Sequence, residues 1–227
     1  MRLRTGAAAL VAAVTLAACG AGPGTDPDSG VRSAIVSGLR AQGHEAEADI
    51  AAGKADVTPE PAAFLGGGWR IYRVDGNGPD AVQFSVGTGP GGKVMLLTGA
   101  PAAFGLMTDA AGTRVRTPAA ATAVVRVFLR VTRRTDVLSY AVDRVGQIRF
   151  RPGLSGTDAA HRDAIVRRYR SVIGPPRART AAGGFAVTAY SVRDRGLLRH
   201  RMDVAVDGAV TDHAKALVTD LPVPYTR

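Results

Sequence analysis

Apolar positions fall along this chain in three patterns, and each predicts a different element. The first is a continuous run over residues 6–16 that carries no charge and is broken only by Thr15. A helix needs about 20 apolar residues to cross a bilayer, so this run is too short to span one. The second pattern is helical spacing: Val31, Ile35, Val36 and Leu39 predict a short amphipathic helix that Gly43 ends. The third is strand-like. Residues 69–74, 81–86 and 93–98 predict three strands, with Asp75-Gly76-Asn77-Gly78-Pro79 as the turn between the first two. The first half of the chain reads as a small helix-plus-meander unit.

Helical spacing returns at Thr117, a good N-cap, with Pro118 as a good first helical residue. The helix they start places Ala121, Val124, Val125, Phe128 and Val131 or Thr132 on one face, and Arg126, Arg130, Arg133 and Arg134 on another. Residues 136–142 read as a second short helix or turn and 147–151 as a strand. A further helix over 158–173 turns Ile165, Val166, Tyr169, Val172 and Ile173 inward and stops at Gly174-Pro175-Pro176. The remaining chain alternates as a meander over 185–192, 198–206 and 209–218, with turns at 193–196 and at Asp207-Gly208. The expected class is α+β, with helices on a curved antiparallel sheet in the second half.

Charge sharpens the division. The sequence carries a formal net charge of +10. Residues 19–109 hold 6 Lys and Arg against 10 Asp and Glu, whereas residues 110–227 hold 21 against 9. A boundary near 110 results, inside the small and polar run Thr108-Asp109-Ala110-Ala111-Gly112-Thr113. The basic residues are nearly all arginine, whose planar fork suits bidentate contact with phosphate or carboxylate. Arg126, Arg130, Arg133 and Arg134 are thus the candidate docking surface for an anionic partner; the alternative is a plainly solvated face. Lipid headgroups, wall polymers or an acidic protein face are the expected partners, with nucleic acid a candidate only in a DNA-transfer system.

The opening run has a specific context. Arg2 and Arg4 precede it, and Leu16-Ala17-Ala18-Cys19-Gly20 ends it. This segment resembles the signal and lipobox of bacterial lipoproteins. The resemblance implies removal of residues 1–18, acylation of Cys19, and a chain held at the outer face of the cell membrane by lipid. Gly, Pro and Asp dominate residues 19–30, which read as a lipidated, flexible tether. Cys19 is the only cysteine, which excludes an intramolecular disulfide and a thiolate metal cluster. The organisation expected is signal 1–18, tether 19–30, an acidic α+β unit over 31–109 and a basic α+β unit over 110–227.

The element order over 117–220, together with Thr117-Pro118, Thr122-Ala123-Val124-Val125 and the Tyr169 helix, resembles the nuclear transport factor two-like cone fold, shared with ketosteroid isomerase and many actinobacterial proteins. Related cone domains occur in tandem in conjugation and secretion machines, so the resemblance implies a binding or assembly module. Isomerase chemistry needs a tyrosine on the first helix and two aspartates at the cone mouth. Phe128 stands where the tyrosine would be, and Arg151-Pro152-Gly153 where the general base is expected. The likeness therefore carries a shape without catalytic residues. The alternative is a ligand-binding or enzymatic cone in which Tyr140, Asp143 and Tyr190 converge on a pocket.

Other motifs yield little. Gly87-Thr88-Gly89-Pro90-Gly91-Gly92-Lys93 has the spacing of a phosphate loop, but strand-like Val94-Met95-Leu96-Leu97 stands where a helix N-terminus is required. His44, His161, His200 and His213 are dispersed, and no metal site or cofactor is expected. Gly153-Leu154-Ser155-Gly156 is one residue too tight for a nucleophile elbow. Trp69, after three glycines, reads as core or edge packing before it reads as a ligand stacker.

Overall fold

The computed structural model describes residues 27–77 and 82–224. The signal segment, Cys19 and most of the tether lie outside the described residues, as does part of the turn after Asp75. The chain is α+β, with five helices and two antiparallel sheets among the described residues.

Two helices open the fold, α1 (Pro27–Ala41) and α2 (Glu45–Ala52). Gly43, at φ 78°, makes the left-handed turn between them that a side chain would strain. Four strands then form an antiparallel meander in the order β1 (Asp56–Glu60), β2 (Arg70–Asp75), β3 (Gln83–Gly89) and β4 (Lys93–Leu96). Ile35 and Leu39 of α1 and Ala48 and Ala51 of α2 are fully buried against Val74, Phe84, Val86 and Val94 of this sheet. Sequence pattern missed α2 because its buried residues are alanines, which propagate a helix without marking a face. β1 was missed as well, since Asp56-Val57-Thr58-Pro59-Glu60 has a single large apolar residue and a proline that suits only an edge.

A third helix, α3 (Pro101–Ala110), precedes α4 (Pro118–Val131). After α4 come β5 (Ser139–Ala141), α5 (Gly156–Tyr169), β6 (Arg177–Ala181), β7 (Gly184–Arg193), β8 (Gly196–Ala205) and β9 (Val210–Val218). The second sheet is curved and unclosed. Its order is β5-β7-β8-β9, and β6 shares the β5 edge of β7 further along that strand. Residues 136–142, expected as a helix or turn, are bends leading into β5. Residues 147–151 alternate like a strand but form none. The edge of β7 is already filled by β5 and β6, and Arg151 N–H donates instead to the Pro222 carbonyl at 2.9 Å. Val172, expected inward, is 44% exposed because α5 has ended before it.

The charge boundary at 110 is not a packing boundary. One buried cluster joins Trp69, Ile71, Leu97, Phe104 and Met107 to Val124, Val125 and Phe128 of α4 and to Phe185, Val187 and Met202 of the second sheet. Phe104 and Phe128 meet edge to face at 5.3 Å between centroids. A third cluster lies at the far end of the second sheet, where α5 brings Ile165 and Tyr169 against Val192 and Leu197. α4 therefore covers one face of that sheet, and α5 covers only one end of the other.

Candidate functional site

α4 positions the candidate residues. Thr117 caps it by accepting from the Ala120 N–H at 3.1 Å, and Pro118 begins its first turn. Ala121, Val124, Val125, Phe128 and Val131 are buried, as expected, together with Val127. This burial turns the arginines toward the first sheet and the β5 segment.

Each arginine of the row meets a partner within the chain. Arg126 pairs with Asp143 at 2.9 Å. Arg130 Nε reaches Glu60 at 2.9 Å, and Arg73 approaches the same carboxylate at 3.4 Å. Glu60 lies at the end of β1, and its side chain is only 9% exposed. Arg133 donates to the Ser139 carbonyl at 3.1 Å and to Gln83 of β3. Arg134 donates to Asp136 through Nε at 2.9 Å, and this hydrogen bond holds its guanidinium still more firmly in the charged form. The anionic partner of Arg130 is thus supplied by the acidic half of the same chain. Sequence spacing placed these arginines on one face and could not show what that face meets.

The same face roofs a cavity of about 260 Å³ that brings Arg126, Arg130 and Arg133 together with Tyr140, Asp143 and Tyr190. All three polar residues named from sequence line it, with the Tyr190 side chain turned to the sheet face away from α4. The Tyr140 and Asp143 groups are largely spent, however. The Tyr140 hydroxyl accepts the Arg149 N–H at 2.8 Å, and the Arg149 guanidinium lies 4.8 Å from the centre of its ring. Burial pushes the Tyr140 phenol up from its ordinary value, against the lowering effects of that hydrogen bond and of the Arg149 charge. Asp143 is committed to Arg126.

The isomerase-like positions hold no acid or phenol. Phe128 is core, and Arg151 pairs with Asp158 at 2.7 Å. The glycine-rich segment closes the β3–β4 hairpin through a 3-10 turn, with Gly91 and Gly92 at positive φ. Trp69 is buried in the shared core with its indole against Gly89, where an added Cβ would lie 2.5 Å from the ring. Among the described residues no three His, Cys, Asp or Glu side chains gather as metal ligands.

One constellation escaped sequence reading. His200 Nε2 lies 2.7 Å from Ser191 Oγ, and His200 Nδ1 lies 2.8 Å from Asp212 Oδ2. The three residues sit on β7, β8 and β9, on the face that carries Ala189 and Met202. Strand register brings them together across two hairpins, and only a sequence reading with both registers in hand could find them. The order serine, histidine, carboxylate is that of a nucleophilic triad. Ser191 is nevertheless only 6% exposed and lies mid-strand with partners on both sides, whereas an oxyanion hole needs N–H groups free to point at a substrate. The arrangement is a hydrogen-bonded relay that runs from buried Ser191 and His200 out to exposed Asp212 and ties three strands together.

Comparison with protein-family models, with curated proteins and with solved structures finds no match.

Proposed function

We propose that this chain is an extracytoplasmic lipoprotein held at the outer face of the cell membrane through acylated Cys19, and that its folded part is a binding or assembly module. The anchor reading rests on the lipobox-like Leu16-Ala17-Ala18-Cys19. Among the described residues no helix is long and apolar enough to cross a membrane. The binding reading rests on one observation. Among the described residues, Arg177, Arg179, Arg199, Arg201 and Lys215 stand without an acidic partner on one side of the second sheet, while the α4 arginines are used internally. Cationic groups gathered without counter-charges favour an anionic partner from outside. A place in a conjugation or secretion apparatus fits such a module. A second reading, a small ligand in the 260 Å³ cavity, is favoured by the convergence of Tyr140, Asp143 and Tyr190. It is weakened by the internal pairing of the Tyr140 and Asp143 groups.

Labelling of intact cells with a fatty-acid analogue tests the anchor. Each buried methylene contributes about 0.8 kcal/mol, so two acyl chains hold a protein where one does not. The wild-type chain takes up label and stays with membranes through a high-salt wash; Cys19→Ala takes up none and is released or left unprocessed. A Cys19→Ala chain that still fractionates with washed membranes places the anchor elsewhere.

A further inference from the structure

We infer that the open face of the second sheet is a phosphate-recognising trough, and that its occupant is the headgroup of an anionic membrane lipid. Antiparallel register builds the trough. On β7, Ala186, Thr188 and Tyr190 point to the side away from α4, and the first two are small. Arg177 of β6 stands directly opposite Thr188 and Arg179 opposite Ala186. From the other flank, Arg201 of β8 faces Thr188 and Arg199 faces Tyr190. Strands lie about 4.8 Å apart, so two arginine walls rise roughly 10 Å from each other over a floor of small side chains. The space between them is a cavity of about 480 Å³.

Three features mark this face as built for an anion. Arg199 Nε is buried and has no hydrogen-bond partner, a costly state for a charged donor that a turn of its guanidinium toward an oxygen ligand in the trough would relieve. Arg199 also stands directly opposite Lys215 of β9, and like charges so placed repel. Third, neither Thr188 nor Tyr190 has a side-chain partner among the described residues, so two hydroxyl donors join the four guanidinium groups at the floor. Asp203, a carboxylate on this face, stands opposite Ala186 at the end of the trough away from Arg199, two residues along β8 from Arg201, and lies 3.5 Å from His213. Paired guanidinium forks at this separation suit the tetrahedral oxygens of a phosphodiester, which accept bidentate hydrogen bonds from both sides.

The lipid source rests on the anchor proposed for Cys19. Cys19 to Pro27 is eight residues, which reach about 28 Å at most, so an acylated chain keeps its fold beside the headgroups. Anionic headgroups attract cationic faces at that range.

The test uses residues 20–227 without the anchor, a chain that contains every described residue, so a failed anchor does not obscure it. Binding is read by co-sedimentation with vesicles of phosphatidylcholine alone, and of equal parts phosphatidylcholine and phosphatidylglycerol. Wild type binds the second and not the first. Arg199→Gln with Arg201→Gln lowers apparent affinity about tenfold or more, while Arg144→Gln with Arg167→Gln, which removes equal charge from exposed positions elsewhere, lowers it about twofold. Arg199→Gln alone leaves the unfolding midpoint unchanged or raises it, because it removes a repelling, unsatisfied group. Arg177→Gln with Arg179→Gln on edge strand β6 gives the same loss of binding should the β8 pair disturb folding. Equal losses for the trough and control pairs would reduce the effect to net charge and overturn the proposal. Absence of wild-type binding overturns it too, as does tight trough-dependent binding of soluble polyphosphate with no vesicle binding.

Discussion

Two sets of arginines in one basic half have opposite fates. Those on α4 are spaced so regularly that they suggest a docking face, yet Arg126, Arg130, Arg133 and Arg134 each close on a carboxylate, amide or carbonyl of the same chain. Those on β6 and β8 are spread over strands well separated in sequence, show no pattern in one dimension, and gather over a shared floor without acidic partners among the described residues. Helical periodicity reports which residues share a face. It does not report whether that face is covered. Here the shared core presses α4 against the first sheet, and Glu60 and Gln83 of that sheet meet two of the four arginines.

The contrast depends on the two halves packing as one body, and Phe104→Ala is the largest way to break it. Phe104 is fully buried between Phe64 and Phe128, so its truncation removes contacts on both sides of the residue 110 boundary. The expected cost is about 3–5 kcal/mol. Chemical denaturation should show a single transition, shifted to lower denaturant, with both sheets lost together. Two separate transitions, or a fragment of residues 110–227 as stable as the whole, would make the α4 face an exposed surface after all.

Glu60→Gln sharpens the same contrast at smaller scale. It keeps the shape of the side chain and removes the charge that faces Arg73 and Arg130. Both arginines are about 40% exposed or more, so water screens much of the gain and the expected loss is about 1–2 kcal/mol. Arg73 keeps Asp75, whose hydrogen bond is the largest cause of the upward shift that holds its guanidinium still more firmly in the charged form. A double-mutant cycle of Glu60→Gln with Arg130→Gln should show coupling of at least about 0.5 kcal/mol. Zero coupling would return Arg130 to the solvated face that sequence allowed.

Much of the fold was legible, for physical reasons that also explain the gaps. The α4 helix announced itself through Thr117, Pro118 and a full apolar stripe. The long strands β7, β8 and β9 were legible from alternation and from the turn residues Asp194 to Gly196 and Asp207-Gly208, which take positive φ at Asp194 and Gly208. α2 was missed because alanines carry its packing, α3 because Gly105 and the exposed Leu106 interrupt its buried Phe104, Met107 and Thr108, and β6 because Arg177-Ala178-Arg179-Thr180-Ala181 has almost nothing to bury. Of the sites, Tyr140, Asp143 and Tyr190 line one cavity, but the internal partners of Tyr140 and Asp143 depend on contacts that pattern does not encode. The Ser191, His200 and Asp212 relay and the β6–β8 trough both arise from strand register. Register is fixed by the assembled sheet, so neither was visible in the sequence.

The smallest expected effect concerns Tyr140, which lies where the α4 arginines and the β5 segment meet. Burial raises its pKa above the ordinary 10.0, while the Arg149 N–H and charge oppose that shift without cancelling it. The folded state therefore holds the phenolic proton more tightly than the unfolded chain does. Between the unfolded and folded pKa values the unfolded chain has lost a proton that the fold retains, so the Tyr140 contribution to stability is present below pH 10 and is lost as pH rises above it. Tyr140→Phe removes the acceptor for Arg149 N–H and costs about 1 kcal/mol at neutral pH. It also removes this part of the alkaline decline, so the stability gap between wild type and variant should narrow as pH climbs past 10. Denaturant titrations at neutral and alkaline pH measure that gap directly. A gap that stays constant would mean that the Tyr140 phenol ionises as it does in water, and that the cavity beside the arginines is open enough to hydrate it.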